Sequence, residues 1–416
     1  MKKIAIFDLS ITTDSPAGSC ILQLVENLAD DYQFIVFADR FENPDPQNIT
    51  WIRVPLPDKP VIARYICFQY LAPIYYNRFL QQQSKPDLIV ATEGEFADCD
   101  ICYVHFCHRQ YLKEQRPKIF PLRNFVRFAN HCFNAYTEAK AIAKASTIAV
   151  PSQGFANQLS QTYSTIIKRE IEVIPNPVDV EHFTRPLGYD AETLRQEIGF
   201  ASTDIVLVFV ALGNFDRKGL DFVLRAMARL KNSRIKLLVV GGSATEVNEY
   251  TSLCDHLGVT ENVKFTGLQS DIRPYLWSSN LFVLPSSYET FSLVTFQAAI
   301  AGLPVMVTHL HGVDEFLEPG VNGWLITRDE GAISQVLKTV AQGHCDLPAM
   351  GARARSAATS YGVPQFVERW RSLLEETLIK KTLLEETLLE ETLLEETNQV
   401  DQAAELPSLP FHTRSL

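Results

Sequence analysis

The chain has 416 residues and a net charge of −11, too long for one ordinary hydrophobic core and too acidic for any general pull toward nucleic acid. Its 46% hydrophobic and 21% charged residues are those of a soluble globular protein, and no run of about 18 apolar residues is present to span a bilayer. Eight cysteines in a large chain without an export signal read as reduced thiols, which places the protein in the cytoplasm or peripherally at the inner face of its membrane.

The N-terminal MKKIAIFDLS is broken by Asp8 and reads as the first strand of a parallel sheet, not as a signal peptide. Ile4 to Leu9, Phe34 to Ala38, Thr50 to Val54, Leu88 to Ala91 and Cys102 to His105 are short apolar runs separated by polar or helical matter, the mark of an α/β sheet. After the first of them Asp14 to Gly18 form a loop in which Gly18 lets a backbone amide approach a ligand phosphate.

Val61 to Leu80 is rich in aromatics and carries Arg64 and Arg78. Between His108 and Phe128 stand Arg109, Lys113, Arg116, Lys118, Arg123 and Arg127 against one acid, Glu114, interleaved with Tyr111, Phe120, Phe125 and Phe128. Such a mixture suits an anionic lipid surface or a phosphorylated acceptor. Cys99, Cys102, Cys107 and His108 invite a metal reading, but no second CxxC supplies a matching half-site, so core thiols are the expectation.

Glu138 to Ala145 reads as a helix, Thr147 to Val150 as a strand, and Ser152 as the cap of the helix that follows. After Ile171 to Ile174 come Pro175, Asn176, Pro177, Val178 and Asp179, whose two prolines stiffen a connection suited to a hinge. The alternation then restarts with Ile205 to Ala211, Ile235 to Val240, Val263 to Phe265, Leu281 to Leu284 and Val305 to Thr308. Two such sheets in series enclose a cleft at their carboxyl ends. No GxGxxG follows the first strand, which argues against a single Rossmann dehydrogenase.

At the carboxyl end of the first strand in the second half, Arg217 and Lys218 precede a helix opened by Gly219; two fixed cations there suit an anionic ligand. Farther on, Glu289 precedes a predicted helix from Phe291 to Ala301. The free N–H groups of Phe291, Ser292, Leu293 and Val294, with the helix dipole, would seat a diphosphate. Gln297, eight residues after Glu289 and about two helical turns away, would return to nearly the same face.

The segment Pro285 to Ile326 resembles the carboxylate-x7-carboxylate signature of retaining glycosyltransferases of family 4, which have the GT-B architecture, and the resemblance extends over roughly Met1 to Leu374. It implies two Rossmann-like parallel-sheet domains facing a cleft: residues 1–180 on the acceptor side, 181–345 on the nucleotide-sugar side, crossover helices at 346–374, and a tail at 375–416. The resemblance gives Glu289 the donor sugar, Gln297 the ribose hydroxyls, and Arg217 and Lys218 the charge on the departing nucleoside diphosphate. His105 is the best match to the family histidine that approaches the donor sugar, with His108 in reserve. The Gly267 to Asp271 loop lies where family members hold the base.

Three positions depart from the family pattern. Gln297 replaces a carboxylate, Ser292 stands where a glycine is usual, and the glycine pair expected near Gly18 is missing. Gly302 and Pro304 would turn the helix into the next strand, and Gly320 and Gly323 would make the following bend; Glu315 and Glu318 read as helix-end and surface carboxylates.

The resemblance thus implies a retaining hexosyltransferase that moves a sugar from a nucleoside-diphosphate sugar to a glycan, lipid-linked or small-molecule acceptor, as in polysaccharide or glycolipid biosynthesis. No metal and no cofactor beyond that co-substrate are expected, since no DxD pair is placed to hold a divalent ion. Nucleic acid is not expected as a partner; peripheral contact with an anionic membrane is. The alternatives are a non-catalytic nucleotide- or glycan-binding protein, suggested by Gln297 and Ser292, and a sugar-nucleotide epimerase of the same two-domain plan.

Beyond Leu374 the unit TLLEE recurs through Thr397. A five-residue period advances about 140° per unit on a helix, so the leucines spiral round it instead of forming a coiled-coil seam. The expectation is a helical or fraying repeat, dispensable for activity, with a disordered end from Asn398.

Overall fold

Strands buried on both faces need near-continuous apolar sequence, and the first half supplies it. In the structure, a computed structural model that describes residues 1–114 and 122–404 (the backbone alone at 122–124, 388, 389 and 391–404), these strands are β1 (Lys2–Phe7), β2 (Ser10–Ile11), β3 (Tyr32–Ala38), β4 (Arg40–Phe41), β5 (Thr50–Arg53), β6 (Leu88–Thr92), β7 (Ile101–Tyr103), β8 (Thr147–Val150) and β9 (Ile171–Val173). Seven of them form a parallel sheet in the order β5-β3-β1-β6-β7-β8-β9, while β2 and β4 pair as a short ribbon beside it. The chain leaves β1 toward β3 and β5, then returns to build the other side from β6, so its direction reverses between β1 and β6.

The second sheet repeats the plan with β10 (Ile205–Ala211), β11 (Ile235–Gly241), β12 (Val263–Gly267), β13 (Leu281–Leu284), β14 (Val305–Val307) and β15 (Gly323–Leu325), in the parallel order β12-β11-β10-β13-β14-β15. Its reversal lies between β10 and β13. β15 adds an edge strand that the sequence reading assigned to a bend. Gly320 does turn, with φ of +81°, but Gly323 opens the strand: a Cβ there would stand 2.2 Å from the Val305 carbonyl.

Between the sheets the hinge segment is fixed at both ends. Tyr103 Oη donates to Asn176 Oδ1 at 3.0 Å, and the Val178 N–H donates to the Tyr361 carbonyl at 2.9 Å. The helix Leu347–Ala358 packs on the second sheet where Gly351 has no room for a Cβ, which would lie 1.9 Å from the Gly302 carbonyl. The chain then returns to the first sheet: Arg369 Nη1 donates to the Val173 carbonyl at 3.2 Å, and the buried Trp370 ring meets Tyr103 edge-on at 5.0 Å. Met1–Trp370 form one compact unit.

A second unit begins at Arg371. One helix, Val363–Ala404, runs through the repeat and past Asn398, where the sequence reading placed the start of disorder. Leu383 and Leu384 of the repeat are exposed.

All eight cysteines are free, with Cys99, Cys102 and Cys107 buried and the Cys102 thiol donating to the Glu93 carbonyl at 3.0 Å. Among the described residues no group of three or more His, Cys, Asp or Glu side chains is arranged to hold a metal ion.

Candidate active site at the cleft between the two sheets

Open parallel sheets bind ligands outside the carboxyl ends of the strands where the strand order reverses. In the second sheet that place is flanked by the loops after β10 and β13, which carry Arg217 with Lys218 and Glu289 respectively. The two loops touch because Gly219, at φ +80°, sits where a Cβ would meet the Pro285 carbonyl at 2.3 Å. The Ser287 N–H donates to the Arg217 carbonyl at 3.0 Å.

Two residues that the sequence reading passed over hold this turn. Glu246 accepts from the N–H of Asn214 at 2.7 Å and of Ser243 at 3.1 Å, which fixes the tight bend before Phe215. Arg328, just beyond β15, donates to the Asp216 carbonyl and, at 3.3 Å, to the Pro285 carbonyl, with its guanidinium 4.9 Å from the Phe222 ring. Neither has a local signature, because each acts on a loop that is remote in sequence.

Glu289 is the focus of the site. Its Oε1 accepts from Lys218 Nζ at 2.6 Å, from Ser286 Oγ at 2.7 Å and from Arg217 Nη1 at 3.2 Å, while Arg217 also donates to the Tyr288 carbonyl. Burial works to raise the Glu289 carboxyl, but Lys218 and Arg217 outweigh it and hold the group below the usual carboxylate range. Burial pushes the Lys218 ammonium down despite the pull of Glu289. The result is a buried cluster of two cations and one anion that keeps a net positive charge.

The helix after Glu289 is shorter than expected. It runs Leu293–Ile300, not from Phe291, because the Leu293 N–H donates to the Phe291 carbonyl at 3.0 Å and so is not free for a ligand. Phe291 is buried, stacked on Phe296 at 4.3 Å. The Ser292 hydroxyl is paired with Thr295 Oγ1 at 2.7 Å, and the Ser292 φ of −81° imposes no need for glycine. Val294 lies in the first turn, half-buried. Glu289 stands in the loop before this helix, so Gln297 is one turn into the helix and not two helical turns from Glu289 on a shared face. Gln297 is half-buried.

Beside Glu289 opens a cavity of about 200 Å³ walled by Tyr288, Gln158, Ser287, His309, His311 and a second acid, Glu114. A larger hollow of about 770 Å³ lies near Tyr189, Trp277 and Leu303, at the amino ends of the second sheet's strands, away from these charged groups. The smaller cavity has the chemistry.

The first domain meets this site through β7 and β8. His105 lies two residues beyond β7, in a loop and not at the strand's end. Its N–H donates to Glu93 Oε1 at 2.9 Å and its carbonyl accepts from Thr290 Oγ1 at 2.6 Å, which brings it beside Glu289. Burial depresses the imidazole to about 3, so the ring is neutral, and its buried Nε2 has no hydrogen-bond partner. A buried nitrogen without a partner is costly unless a ligand completes it.

Other contacts span the cleft. Ser152 caps the helix Gln153–Thr162, accepting from the Phe155 N–H at 3.3 Å, and donates to the Thr290 carbonyl at 2.9 Å. Glu315 is no mere surface carboxylate: Oε1 accepts from the N–H groups of Gln153 at 2.8 Å and Gly154 at 3.4 Å, a carboxylate from one domain at a helix start in the other. Tyr288 Oη donates to Gln158 Oε1 at 2.9 Å. His108 is set back from the site, with Nδ1 2.9 Å from His131 Nδ1, and burial depresses it to about 3.

At the reversal between β1 and β6 the first sheet gathers acids. Asp8 accepts from Thr92 Oγ1 at 2.7 Å, and Glu95 accepts from the Leu9 N–H at 2.7 Å. Burial raises Asp8 to about 6 and lifts Glu93 and Glu95 well above the ordinary range. Glu138, wholly inaccessible, accepts from the His108 N–H at 3.0 Å and is raised by burial to about 8. Gly18 differs from expectation: its N–H is taken by Ser15 Oγ at 3.2 Å, and its lack of a side chain serves packing, since a Cβ would lie 2.0 Å from the Ser10 carbonyl.

Comparison with known proteins agrees with the two-sheet fold. Residues 205–342 match the family model described as Glycosyl transferases group 1, and residues 17–182 match that of Glycosyltransferase Family 4. An uncharacterized glycosyltransferase of Methanocaldococcus jannaschii is 30% identical over 169 residues, 40% of this chain and 43% of that protein. A D-inositol 3-phosphate glycosyltransferase of Catenulispora acidiphila is 29% identical over 256 residues, 57% of this chain and 60% of that protein. The chain therefore spans about half the length of the curated relatives it matches.

Solved structures are similar over nearly the whole of their length. WaaG, described as a glycosyltransferase involved in lipopolysaccharide biosynthesis, superposes with a TM-score of 0.72 at 19% identity, covering 89% of this chain and 99% of WaaG. Anabaena HepE in complex with UDP-glucose gives 0.68 at 19% identity, covering 90% of this chain and 100% of HepE.

Proposed function

The chain belongs to the group 1 glycosyltransferases of the GT-B fold, and from that premise we propose that its cleft transfers a sugar, with retention and without a metal ion, from a nucleoside-diphosphate sugar to a glycan, lipid-linked or small-molecule acceptor. The observation that carries the reading is the convergence of Arg217 and Lys218 on Glu289 where the second sheet reverses. A buried cluster with surplus positive charge beside a cavity suits a diphosphate with a sugar attached, and such electrostatic help is worth several kcal/mol in a dry site.

In the reaction the bond from the anomeric carbon to the β-phosphate oxygen breaks and a bond to the acceptor oxygen forms on the same face. The family resemblance implies that the acceptor proton passes to the departing phosphate oxygen. Arg217 and Lys218 would offset the charge left there, and Glu289 would face the sugar. The neutral His105 would give its unpartnered Nε2 to the sugar from the opposite wall. Gln297 offers the ribose a neutral amide. The phosphate seat would draw on the amides of Ser292 and Val294, because that of Leu293 is engaged.

The test is transfer by the purified full chain, offered UDP- and GDP-sugars with a panel of acceptors, read as nucleotide release and as the anomeric configuration of the product by NMR. Retained configuration and undiminished activity in EDTA are expected. Inversion, or strict dependence on Mg²⁺ or Mn²⁺, would contradict the mechanism. The second reading, a binding protein without catalysis, rests on Gln297; nucleotide binding without turnover in wild type, with turnover restored by Gln297→Glu, would favour it. Interconversion of the sugar nucleotide with no acceptor present would identify an epimerase.

A further inference from the structure

β6 ends at Thr92, and the residue that follows is strained. Glu93 has a φ of +51°, and among the described residues only Asn214 and Lys231 share a positive φ without being glycine. A long side chain in that region persists only where its surroundings enforce it. Here they do: the Glu93 N–H donates to the Tyr103 carbonyl at 2.9 Å, and its carbonyl accepts from the Cys102 thiol. Gly94 then presses on the helix Leu122–Lys144, where a Cβ would lie 2.4 Å from the Glu138 backbone nitrogen. That contact sets the turn of Glu93 against Glu138.

The two carboxyls grip one loop. After β7 the chain passes from Val104 to Cys107 before the helix His108–Glu114 begins. That helix leads into the basic stretch of which Arg116, Lys118 and Phe120, with the side chain of Arg123, lie outside the described residues. Near the start of the loop Glu93 Oε1 accepts from the His105 N–H at 2.9 Å, and at its far end Glu138 Oε2 accepts from the His108 N–H at 3.0 Å. The remaining oxygen of each acid, Glu93 Oε2 and Glu138 Oε1, is buried without a partner. Two buried carboxylates side by side are costly unless protons are kept, and burial raises both groups, with Glu138 pushing Glu93 up further. A carboxyl that keeps its proton still accepts through its carbonyl oxygen, so the grip needs no charge.

What the loop carries is His105. Its ring meets Tyr103 edge-on at 4.0 Å, its carbonyl is tied to Thr290 beside Glu289, and its Nε2 is unpartnered. We propose that Glu93 and Glu138 are positioning residues, a clamp of two carboxyls that holds His105 in place at the sugar. What His105 meets rests on the transferase reading; the clamp itself can be tested without turnover.

The experiment compares Glu93→Met and Glu138→Met, which keep bulk but lose the acceptor, with Glu93→Gln and Glu138→Gln, all in the full chain. Each methionine variant should lose about a hundredfold in kcat, as expected when a group at the reacting centre is slightly misplaced. UDP affinity by calorimetry should stay within about twofold of wild type, because Arg217 and Lys218 are untouched. Glutamine offers the same N–H a carbonyl and carries no charge, so it should recover most of the loss. A second readout is the ring signals of His105 in ¹⁵N-histidine NMR, assigned by their loss in His105→Gln. In wild type and the glutamine variants these should stay fixed from about pH 5 to pH 8, since burial holds the imidazole at about 3; in the methionine variants a loosened loop should admit water and let the ring titrate near an ordinary 6.5. Wild-type kcat in the methionine variants, no recovery by glutamine, or a His105 ring that stays fixed in every variant would overturn the proposal. So would equal losses of kcat and UDP affinity with a lowered melting temperature, the mark of a purely structural role. A wild type without turnover on any sugar nucleotide and acceptor would defeat the transferase reading alone, and the His105 signals would still decide the clamp.

Discussion

Lys218 Nζ lies 2.6 Å from Glu289 Oε1, and both side chains are largely buried, so neither charge can be removed without stranding the other. Glu289→Gln leaves Arg217 and Lys218 uncompensated. The variant should melt lower than wild type, and a nucleoside diphosphate should restore more stability to it than to wild type, because the anion supplies the missing charge. Transfer should fall by about a hundredfold as the group facing the sugar loses its charge. Lys218→Met should instead weaken nucleotide binding by roughly tenfold. Calorimetric titration with UDP and GDP checks both, and equal nucleotide affinity in the two variants would contradict the assigned roles.

Gln297→Glu restores a charged acceptor one turn into the helix Leu293–Ile300. A charged hydrogen bond to a hydroxyl is worth about twice a neutral one, so donor affinity should rise several-fold, read as a lower KM for the sugar nucleotide with kcat nearly unchanged. A rise in KM would show that the amide is the better fit to this donor.

Arg328 touches no reacting group; it positions the turn that carries Arg217 and Lys218 through the carbonyls of Asp216 and Pro285. Arg328→Ala should raise KM for the donor by about tenfold while affecting kcat less, as expected when a binding loop is loosened. Arg328→Lys should recover part of the loss through one remaining donor. A variant that melts lower but keeps wild-type KM would mark Arg328 as structural only.

Most of the framework could be read from the chain because buried parallel strands need uninterrupted apolar runs, and β10, β11 and β13 stand where those runs are. Arg217, Lys218 and Glu289 were also legible, since each follows such a strand at its carboxyl end. What escaped depends on packing between remote segments. Gly18 and Gly323 are glycines because a carbonyl of another strand or loop presses on them, a fact that no local pattern records. Glu315 was read as a surface acid, since its partners, the Gln153 and Gly154 N–H groups, belong to the other domain. The helix after Glu289 was started two residues early because buried Phe291 fits the apolar period but serves as a plug against Phe296.

The carboxyl groups buried in the first domain make stability depend on pH in a definite direction. Glu138 is raised by burial from an ordinary 4.5 to about 8. Between those values the folded protein keeps a proton that the unfolded chain has released, so stability falls as pH rises through that window and levels off above it. Asp8, raised from 3.8 to about 6, adds a fall over the lower part of the range. For Glu138 alone the full effect is on the order of 4 kcal/mol. Glu289 acts in the opposite sense: held below its ordinary range by Lys218 and Arg217, its contribution is complete above pH 4.5 and is lost as the pH falls below that. Melting temperature should therefore drop between about pH 6.5 and pH 8, where the histidines of the unfolded chain are neutral and the depressed His105 and His108 no longer oppose the carboxyls. Glu138→Gln should remove the Glu138 share of that slope, because the amide can still accept from the His108 N–H without any proton to hold. A wild-type slope in the variant would mean that Glu138 ionises freely, and the drop would then have to come from Asp8, Glu93 and Glu95 at the turn of the first sheet.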